Sequence, residues 1–192
     1  MAKSEKQKLK LLYLKDILME KTDEEHYLKM EEIIKLLSEK EIAAERKSIY
    51  NDIEMLRKYG VDIDSSRRSG YRILGRDFET AEVKALIDAV QYSRFISRKK
   101  TRELIEKLKG LVSEYEAKSM RVNKALTEKI KSDNEMVLIA IDKIMEAIEN
   151  NKQVSFRYYS WTPDKEKKYS NEGKLRVVNP WDLCWDNTAY YC

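Results

Sequence analysis

The stretch AERKSIYNDIEMLRKYGVDIDSSRRSGYRIL, residues 44–74, decides how the N-terminal part of the chain folds. Its first half has apolar residues at the spacing of one helix side: Ile49, Ile53 and Leu56. This spacing predicts a helix over 44–59 that ends at Gly60, because glycine takes the left-handed conformation that often follows a helix. After Gly60 the pattern changes to strand-like alternation, which predicts a hairpin with strands at 61–64 and 71–74 and a polar, basic turn at 65–70.

Two further helices are predicted before this stretch. Residues 6–20 are apolar on most sides, so this helix is expected to be buried in a core or against a partner chain. A short helix follows, with an apolar stripe at Met30, Ile33, Ile34 and Leu37. Three helices followed by a hairpin with a basic tip are typical of a winged helix-turn-helix, whose third helix enters the major groove of DNA. We therefore expect residues 1–76 to form a DNA-binding domain.

The predicted DNA interface lies on the hairpin and on the exposed part of the helix, where Lys47 and Asn51 lie opposite the apolar stripe and the other helix candidates lie on its flanks. The N-terminal turns of a recognition helix usually contact the bases. Arg and Lys can donate hydrogen bonds to guanine and Asn to adenine, whereas Ser and Tyr suit phosphate. The arginines at the hairpin tip suit phosphate or a narrow minor groove. The candidates are Arg46, Lys47, Ser48, Tyr50, Asn51, Arg67, Arg68 and Tyr71.

Charge alone does not identify this interface. Residues 1–75 contain sixteen Lys and Arg against fifteen Asp and Glu, and any solvated helix carries such side chains. The positions of the helix and the hairpin are the stronger argument for DNA.

The middle of the chain, residues 77–133, is predicted to be a helical linker and dimerisation segment. It carries two apolar stripes: Val83, Leu86, Ile87 and Val90, then Leu104, Leu108, Leu111, Val112 and Tyr115. These stripes need partners, and the first helix is apolar on more sides than a three-helix module can cover. We therefore expect a homodimer.

Residues 134–192 are predicted to be a small β-domain with a leading helix over 135–149. Strand-like alternation places Val154, Phe156 and Tyr158 on one face, and Ser155, Arg157 and Tyr159 on the other. Further strands are expected at 175–178 and 183–185, and a tight turn at Asp186–Asn187. The aromatic side chains are expected in the core of this domain. The chain stops within an apolar alternating segment, so we expect the β-domain to be incomplete.

The composition argues against several kinds of chemistry. A zinc site needs about four clustered His or Cys ligands, but the chain has only His26, Cys184 and Cys192. His26 is interpreted as a solvated loop histidine, and the cysteines as small buried residues of a reduced cytosolic protein. The five glycines are isolated, which argues against a phosphate-binding loop, and no paired-acid motif indicates an enzyme. We expect no cofactor, no membrane span and a cytoplasmic location.

Several segments together resemble a known family. In the N-terminal part they are AAERKSIYNDIEMLR at 43–57, YGVDI at 59–63 and GYR at 70–72. In the C-terminal part they are QVSFRYY at 153–159 and RVVNPWDL at 176–183. In order and spacing these segments resemble the bacterial WYL-domain transcriptional regulators over nearly the whole chain.

The resemblance implies an α+β protein with an Sm- or SH3-like β-barrel of WYL type at its C-terminus. It implies a sequence-specific regulator that binds double-stranded DNA and senses a nucleotide-like or single-stranded nucleic-acid effector. The predicted effector-binding residues are Ser155, Arg157, Tyr159 and Tyr190. The chain departs from the family at the naming triplet, where it has Tyr190-Tyr191-Cys192 and then ends. The alternative is a helical, dimeric protein-interaction scaffold without DNA readout, which a salt-dependent DNA mobility shift would distinguish.

Overall fold

The computed structural model describes residues 2–122, 131, 134–164, 166–186 and 189–192. Helices and short antiparallel strands make up the described residues, so the chain is α+β as predicted. The chain divides into two compact units, one of residues 1–91 and 102–124 and the other of residues 92–101 and 125–192. The predicted boundaries at 76 and 133 stay predictions.

The first unit begins with three helices and a hairpin. These are α1 (Ala2–Lys21), α2 (Met30–Glu39), α3 (Arg46–Tyr59), β1 (Ile63–Ser66) and β2 (Gly70–Ile73). The predicted stripe Ile49, Ile53 and Leu56 is buried, together with apolar side chains of α1, α2 and both strands. Leu12 of α1 is 58% exposed, so over residues 9–21, whose side chains the structure describes, α1 buries one side rather than most of its surface.

Two glycines shape the hairpin and the helix before it. Gly60 follows α3 in the left-handed conformation, with φ of 108°, as predicted. Gly70 opens β2 with φ of 109°, and a Cβ atom there would lie 2.1 Å from the carbonyl oxygen of Leu28. Leu28 also exchanges two backbone hydrogen bonds with Tyr71, of 2.8 and 2.9 Å. The hairpin is therefore fixed to the segment between α1 and α2.

Three more helices follow: α4 (Thr80–Tyr92), α5 (Arg98–Lys109) and α6 (Glu114–Ser119). A second buried cluster consists of Val83, Ile87, Ile105, Val112 and Met120. The stripe that we predicted from Leu104 to Tyr115 does not lie on one continuous helix, because α5 ends at Lys109 and α6 begins at Glu114. Ser113 caps the new helix by accepting a hydrogen bond from the amide of Glu116 at 3.1 Å, while the Glu116 carboxylate accepts one from the amide of Ser113 at 2.9 Å.

The second unit contains α7 (Val137–Glu149) and six short strands. They are β3 (Val154–Phe156), β4 (Tyr159–Trp161), β5 (Lys167–Tyr169), β6 (Arg176–Val178), β7 (Cys184–Asp186) and β8 (Ala189–Tyr191). They pair antiparallel as β3–β6, β4–β5 and β7–β8. The described strands therefore form three separate two-stranded sheets, and no closed barrel is built from them. Asn187 of the predicted tight turn lies outside the described residues.

Burial in the second unit differs from the expectation for a barrel. Among the described residues from 134 to the end of the chain, Ala147 alone is buried. Most of the aromatic residues expected in a core are exposed instead, up to 89% for Trp181, whereas Phe156 is half-buried. Cys184 and Cys192 are also exposed, so their interpretation as buried residues was wrong. Among the described residues, the three separate sheets leave most of these side chains in solvent.

A buried cation also lies in this unit. The Lys131 ammonium donates a hydrogen bond to the carbonyl of Ser93 at 2.6 Å, and burial lowers the pKa of Lys131 to about 8.

None of the described helices combines the length and the hydropathy needed to span a membrane.

Candidate nucleic-acid interface

The N-terminal half of α3 presents a polar face to solvent. Lys47 and Asn51 are exposed on the side opposite the buried Ile49, and Arg46 and Tyr50 are exposed on the flanks. Lys47 has no hydrogen-bond or ion-pair partner within the described part of the chain. These four predicted residues therefore lie together on one accessible helix face.

Ser48 differs from its neighbours because its side chain is half-buried. Its hydroxyl accepts a hydrogen bond from the Lys10 ammonium, which also forms an ion pair of 2.7 Å with Asp52. Lys10 is buried and links α1 to the flank of α3, a role that we did not predict. Its position four residues before the buried Leu14 was the available signal, because residues i and i+4 share a helix side.

Arg46 is exposed but paired. One of its terminal nitrogens lies 3.1 Å from a carboxylate oxygen of Glu31 in α2, and both side chains are mostly in solvent. Such pairs contribute only ~0–1 kcal/mol to stability. Arg46 can therefore exchange this partner for a phosphate or a base at little energetic cost.

The hairpin tip presents two exposed arginines. Arg67 and Arg68 lie in the turn between β1 and β2, where the Ser66 hydroxyl accepts hydrogen bonds from the amides of Arg68 and Ser69 at 3.3 Å. Neither guanidinium has a hydrogen-bond or ion-pair partner among the residues that the structure describes. Both are therefore available for an anion.

Two other basic residues of this region hold the hairpin in place. Arg57 donates hydrogen bonds to the Ile63 carbonyl at 2.9 Å and to the Ser65 hydroxyl at 3.1 Å, which ties α3 to β1. Arg72 pairs with Asp64 at 2.9 Å and covers the ring of Tyr27 at 4.5 Å. The Arg72 hydrogen bond lowers the pKa of Asp64, so this carboxylate stays charged. These two arginines therefore hold the hairpin on α3 and on the segment between α1 and α2.

Tyr71 packs against the buried cluster of the first unit. Its side chain is half-buried. The pKa of Tyr71 is raised, mainly by burial and to a smaller extent by the charge of Tyr50, while the charges of Arg57 and Arg46 act in the opposite direction. Tyr71 directly follows Gly70 at the start of β2, where it is paired with Ser65.

The predicted effector residues are divided among several elements. Ser155 is exposed in β3, and Arg157 is exposed in the segment between β3 and β4. The Tyr190 ring meets the edge of Phe95, with ring centroids 5.1 Å apart. Tyr159 lies in a different aromatic group, so no contact joins these four described side chains into one site.

The group around Tyr159 combines exposed aromatic rings with a cation. The β4–β5 register sets Tyr159 opposite Tyr169 and Trp161 opposite Lys167, so all four side chains share one face. The Lys167 ammonium lies 4.6 Å from the ring centre of Tyr159 and 5.7 Å from that of Trp161. Exposed rings with cations are the features on which nucleobases stack. We missed Trp161, Lys167 and Tyr169, although their alternation with other residues was visible in the sequence.

His26 lies in the loop between α1 and α2 with 40% of its side chain exposed, as predicted, and it also takes part in a polar network of the first unit. Its Nδ1 atom lies 2.7 Å from Asp23, and its ring stacks on Tyr115 at 3.7 Å. The Ser113 hydroxyl donates a hydrogen bond to the other Asp23 oxygen at 2.6 Å. Burial alone would raise the pKa of Asp23, but the hydrogen bonds from Ser113, His26 and two backbone amides lower it.

This network borders a cavity of about 770 Å³ that Arg76, Phe78 and Glu116 also line. Its Ser, His and Asp side chains do not form a nucleophilic triad, because the carboxylate lies between the other two, whereas a triad places the histidine in the middle. Among the described residues, no group of His, Cys, Asp and Glu side chains is placed to hold a metal ion.

Comparison with known proteins gives one positive result. The family model of the WYL domain matches residues 140–192, which include most of α7 and the six strands of the second unit. No match was found among curated proteins or among solved structures. The chain therefore contains a WYL-domain region, as its resemblance to WYL-domain proteins implied.

Proposed function

We propose that this chain is a sequence-specific transcriptional regulator that binds duplex DNA through α3 and the β1–β2 hairpin as a winged helix-turn-helix. The observation that carries the proposal is an exposed polar face on α3 followed by a hairpin whose two tip arginines have no partner among the described residues. The face supplies donors and acceptors for base edges, and the arginines supply positive charge for phosphate. In this role the chain acts as a binding protein without enzymatic activity.

The packing supports a fixed arrangement of these groups. Ile49, Ile53 and Leu56 hold α3 on the core, so the opposite face keeps one orientation. Arg57 connects this helix to β1, and Leu28 holds the return strand. A recognition element that is already positioned loses less conformational entropy on binding.

The WYL-domain region is proposed to sense a nucleotide-like or single-stranded nucleic-acid effector. WYL domains are typical of regulators that respond to effectors, and the chain has this region at residues 140–192. The exposed rings of Tyr159, Trp161 and Tyr169 beside Lys167 offer stacking surfaces and positive charge for such a ligand. Arg157 is exposed nearby in the sequence and adds a further cation for phosphate.

The regulator is proposed to act as a homodimer. Leu9 and Leu12 of α1, and Met55 and Tyr59 of α3, leave apolar surface exposed in the single chain. A symmetric dimer would select two-fold symmetric operators. Light scattering at micromolar concentration should give twice the mass of one chain, and the mass of a single chain would contradict the dimer.

DNA binding is tested with an operator selected from random duplexes by the full chain. Fluorescence anisotropy at fixed salt should show that Lys47→Ala costs ~1–3 kcal/mol of binding energy if Lys47 contacts a base. The double variant Arg67→Ala/Arg68→Ala should weaken binding to all sequences and reduce the salt dependence, because it removes phosphate contacts.

The matched control is Lys58→Ala, which removes the same charge from the last turn of the same helix. This variant should keep an affinity close to that of the wild type. If the Arg46→Ala/Lys47→Ala variant bound the operator as tightly as the wild type does, the assignment of α3 as the recognition helix would be wrong.

A further inference from the structure

Helix α7 leaves much of its apolar surface uncovered. Its sequence, VLIAIDKIMEAIE, is apolar on most sides, yet only Ala147 is buried among its residues. Met145 is 56% exposed and Ile139 is 45% exposed. Exposed apolar surface of this kind commonly marks an interaction site.

A groove of about 700 Å³ runs along this helix. One wall consists of Ile141, Met145 and Ile148 of α7, and the other includes Leu183 and Tyr190. The edge contact of Tyr190 with Phe95 supports the second wall from behind. The groove is therefore formed before anything binds, and its floor is apolar.

Carboxylates border the groove on both sides. Asp142, Glu146 and Glu149 lie at i, i+4 and i+7 along one side of α7, and Asp182 borders the opposite wall. The three helix carboxylates have no ion-pair partner in the described part of the chain. No Lys, Arg or His is found among the described residues that line the groove.

We propose that this groove binds a basic amphipathic segment of a partner protein, in which bulky apolar side chains are flanked by Lys or Arg. The apolar floor accepts the apolar side chains, and the four carboxylates pair with the flanking cations. A nucleic acid would place its phosphates against these carboxylates and is repelled. A second copy that used the same groove would bring carboxylates against carboxylates across the two-fold axis, which disfavours self-association there.

The proposed composition of the partner segment is tested by selecting peptides from a random phage-displayed library on the immobilised full chain. The enriched peptides should combine Leu, Ile, Met or Phe with Lys or Arg. Synthetic copies with a fluorescent label are then titrated with the full chain. The variant Glu146→Lys/Glu149→Lys should bind them about tenfold more weakly, because it reverses two charges at the rim.

The matched control is Lys143→Ala, which lies on the same helix but does not border the groove and should leave peptide affinity unchanged. Met145→Ser should also weaken binding, through the loss of apolar contact. A selection repeated on Glu146→Lys/Glu149→Lys should now enrich acidic peptides, a gain that misfolding cannot produce.

Three results would overturn the proposal. The first is enrichment of peptides without basic residues on the wild type. The second is peptide binding that Met145→Ser and the charge reversal leave unchanged. The third is a dimer, measured by sedimentation, that these substitutions dissociate, because the groove would then hold a second copy. The proposal does not depend on DNA binding, so the operator titration and this selection can fail separately.

Discussion

The cluster around α3 and the strands of the WYL-domain region differ sharply in how they hold their functional side chains. Around α3, buried apolar residues of three helices and two strands fix an exposed polar face. In the WYL-domain region, aromatic side chains lie on short two-stranded sheets and stay in solvent. An isolated pair of strands is only marginally stable in water. A core therefore fixes the proposed DNA-binding side chains, whereas the aromatic side chains rely on local contacts.

The largest expected effect is a contrast in hydrogen exchange. Amides of α1 and α3 should exchange slowly, because their opening exposes the buried cluster, and amides after residue 150 should exchange fast. A difference of about a thousandfold in protection is expected, since local openings range from ~0 up to the global unfolding free energy. Exchange measured by mass spectrometry tests this, and uniform protection through Cys192 would contradict the comparison.

The second prediction compares the truncation of an aliphatic side chain to alanine in the two regions. Ile53→Ala should cost ~2–5 kcal/mol of unfolding free energy, because Ile53 is 1% exposed and leaves a cavity. Val177→Ala should change it by less than ~0.5 kcal/mol, because Val177 is 58% exposed in β6. Denaturant unfolding followed by helical circular dichroism measures both. Equal effects would mean that the strands share a core with the helices.

The third prediction compares two glycines of the first unit that both have positive φ. Gly70→Ala should cost about 2 kcal/mol or more of unfolding free energy. The added Cβ atom would collide with the Leu28 carbonyl, and alanine would also be strained at this positive φ. Gly60→Ala should cost only ~1 kcal/mol, since no atom lies within 4 Å of the added Cβ. Gly70→Ala should also weaken operator binding by displacing the hairpin. Identical stabilities of the two variants would show that Leu28 does not constrain the hairpin.

The last prediction concerns the Asp23 network, whose effect on stability depends on pH. The pKa of Asp23 is lowered in the folded state, so its contribution is complete above the unfolded pKa of ~3.9 and is lost as the pH falls through the lowered pKa. Asp23→Asn should therefore cost ~1–3 kcal/mol at neutral pH, because a buried charge-assisted network is broken. The difference in unfolding free energy between Asp23→Asn and the wild type should shrink on acidification.

The control for this network is Asp16→Asn, since Asp16 is an exposed carboxylate of α1. Unfolding titrations between pH 7 and pH 2.5 compare the variants. A difference between Asp23→Asn and the wild type that stays constant over this range would show that the ionised carboxylate does not stabilise the fold.

Local pattern was enough to predict the elements of the first unit. The spacing of Ile49, Ile53 and Leu56 identified the buried side of α3, and Gly60 identified its end. The alternation on either side of residues 65–70 identified the hairpin. The same reasoning failed between α5 and α6, where the Ser113 and Glu116 capping box was overlooked and one helix was expected in place of two.

Residue type alone misled us about burial in the WYL-domain region. Trp181, Trp185 and Cys184 are apolar and were expected inside, yet they are exposed. Alternation fixes which side chains share a face, but it does not reveal whether another layer covers that face. The stacking group around Tyr159 therefore needed the β4–β5 register to be identified.

The sequence by itself determined the helix sides, the hairpin and the polar face of α3, because these depend on residues close together in the chain. The tertiary structure decided the partners that are distant in sequence. Lys10 meets Ser48 and Asp52, Ser113 meets Asp23, and Gly70 lies against Leu28. Periodicity carries no information about which helix side faces which neighbour. Packing alone brings such residues together, because each buried polar group must find a partner once it leaves water.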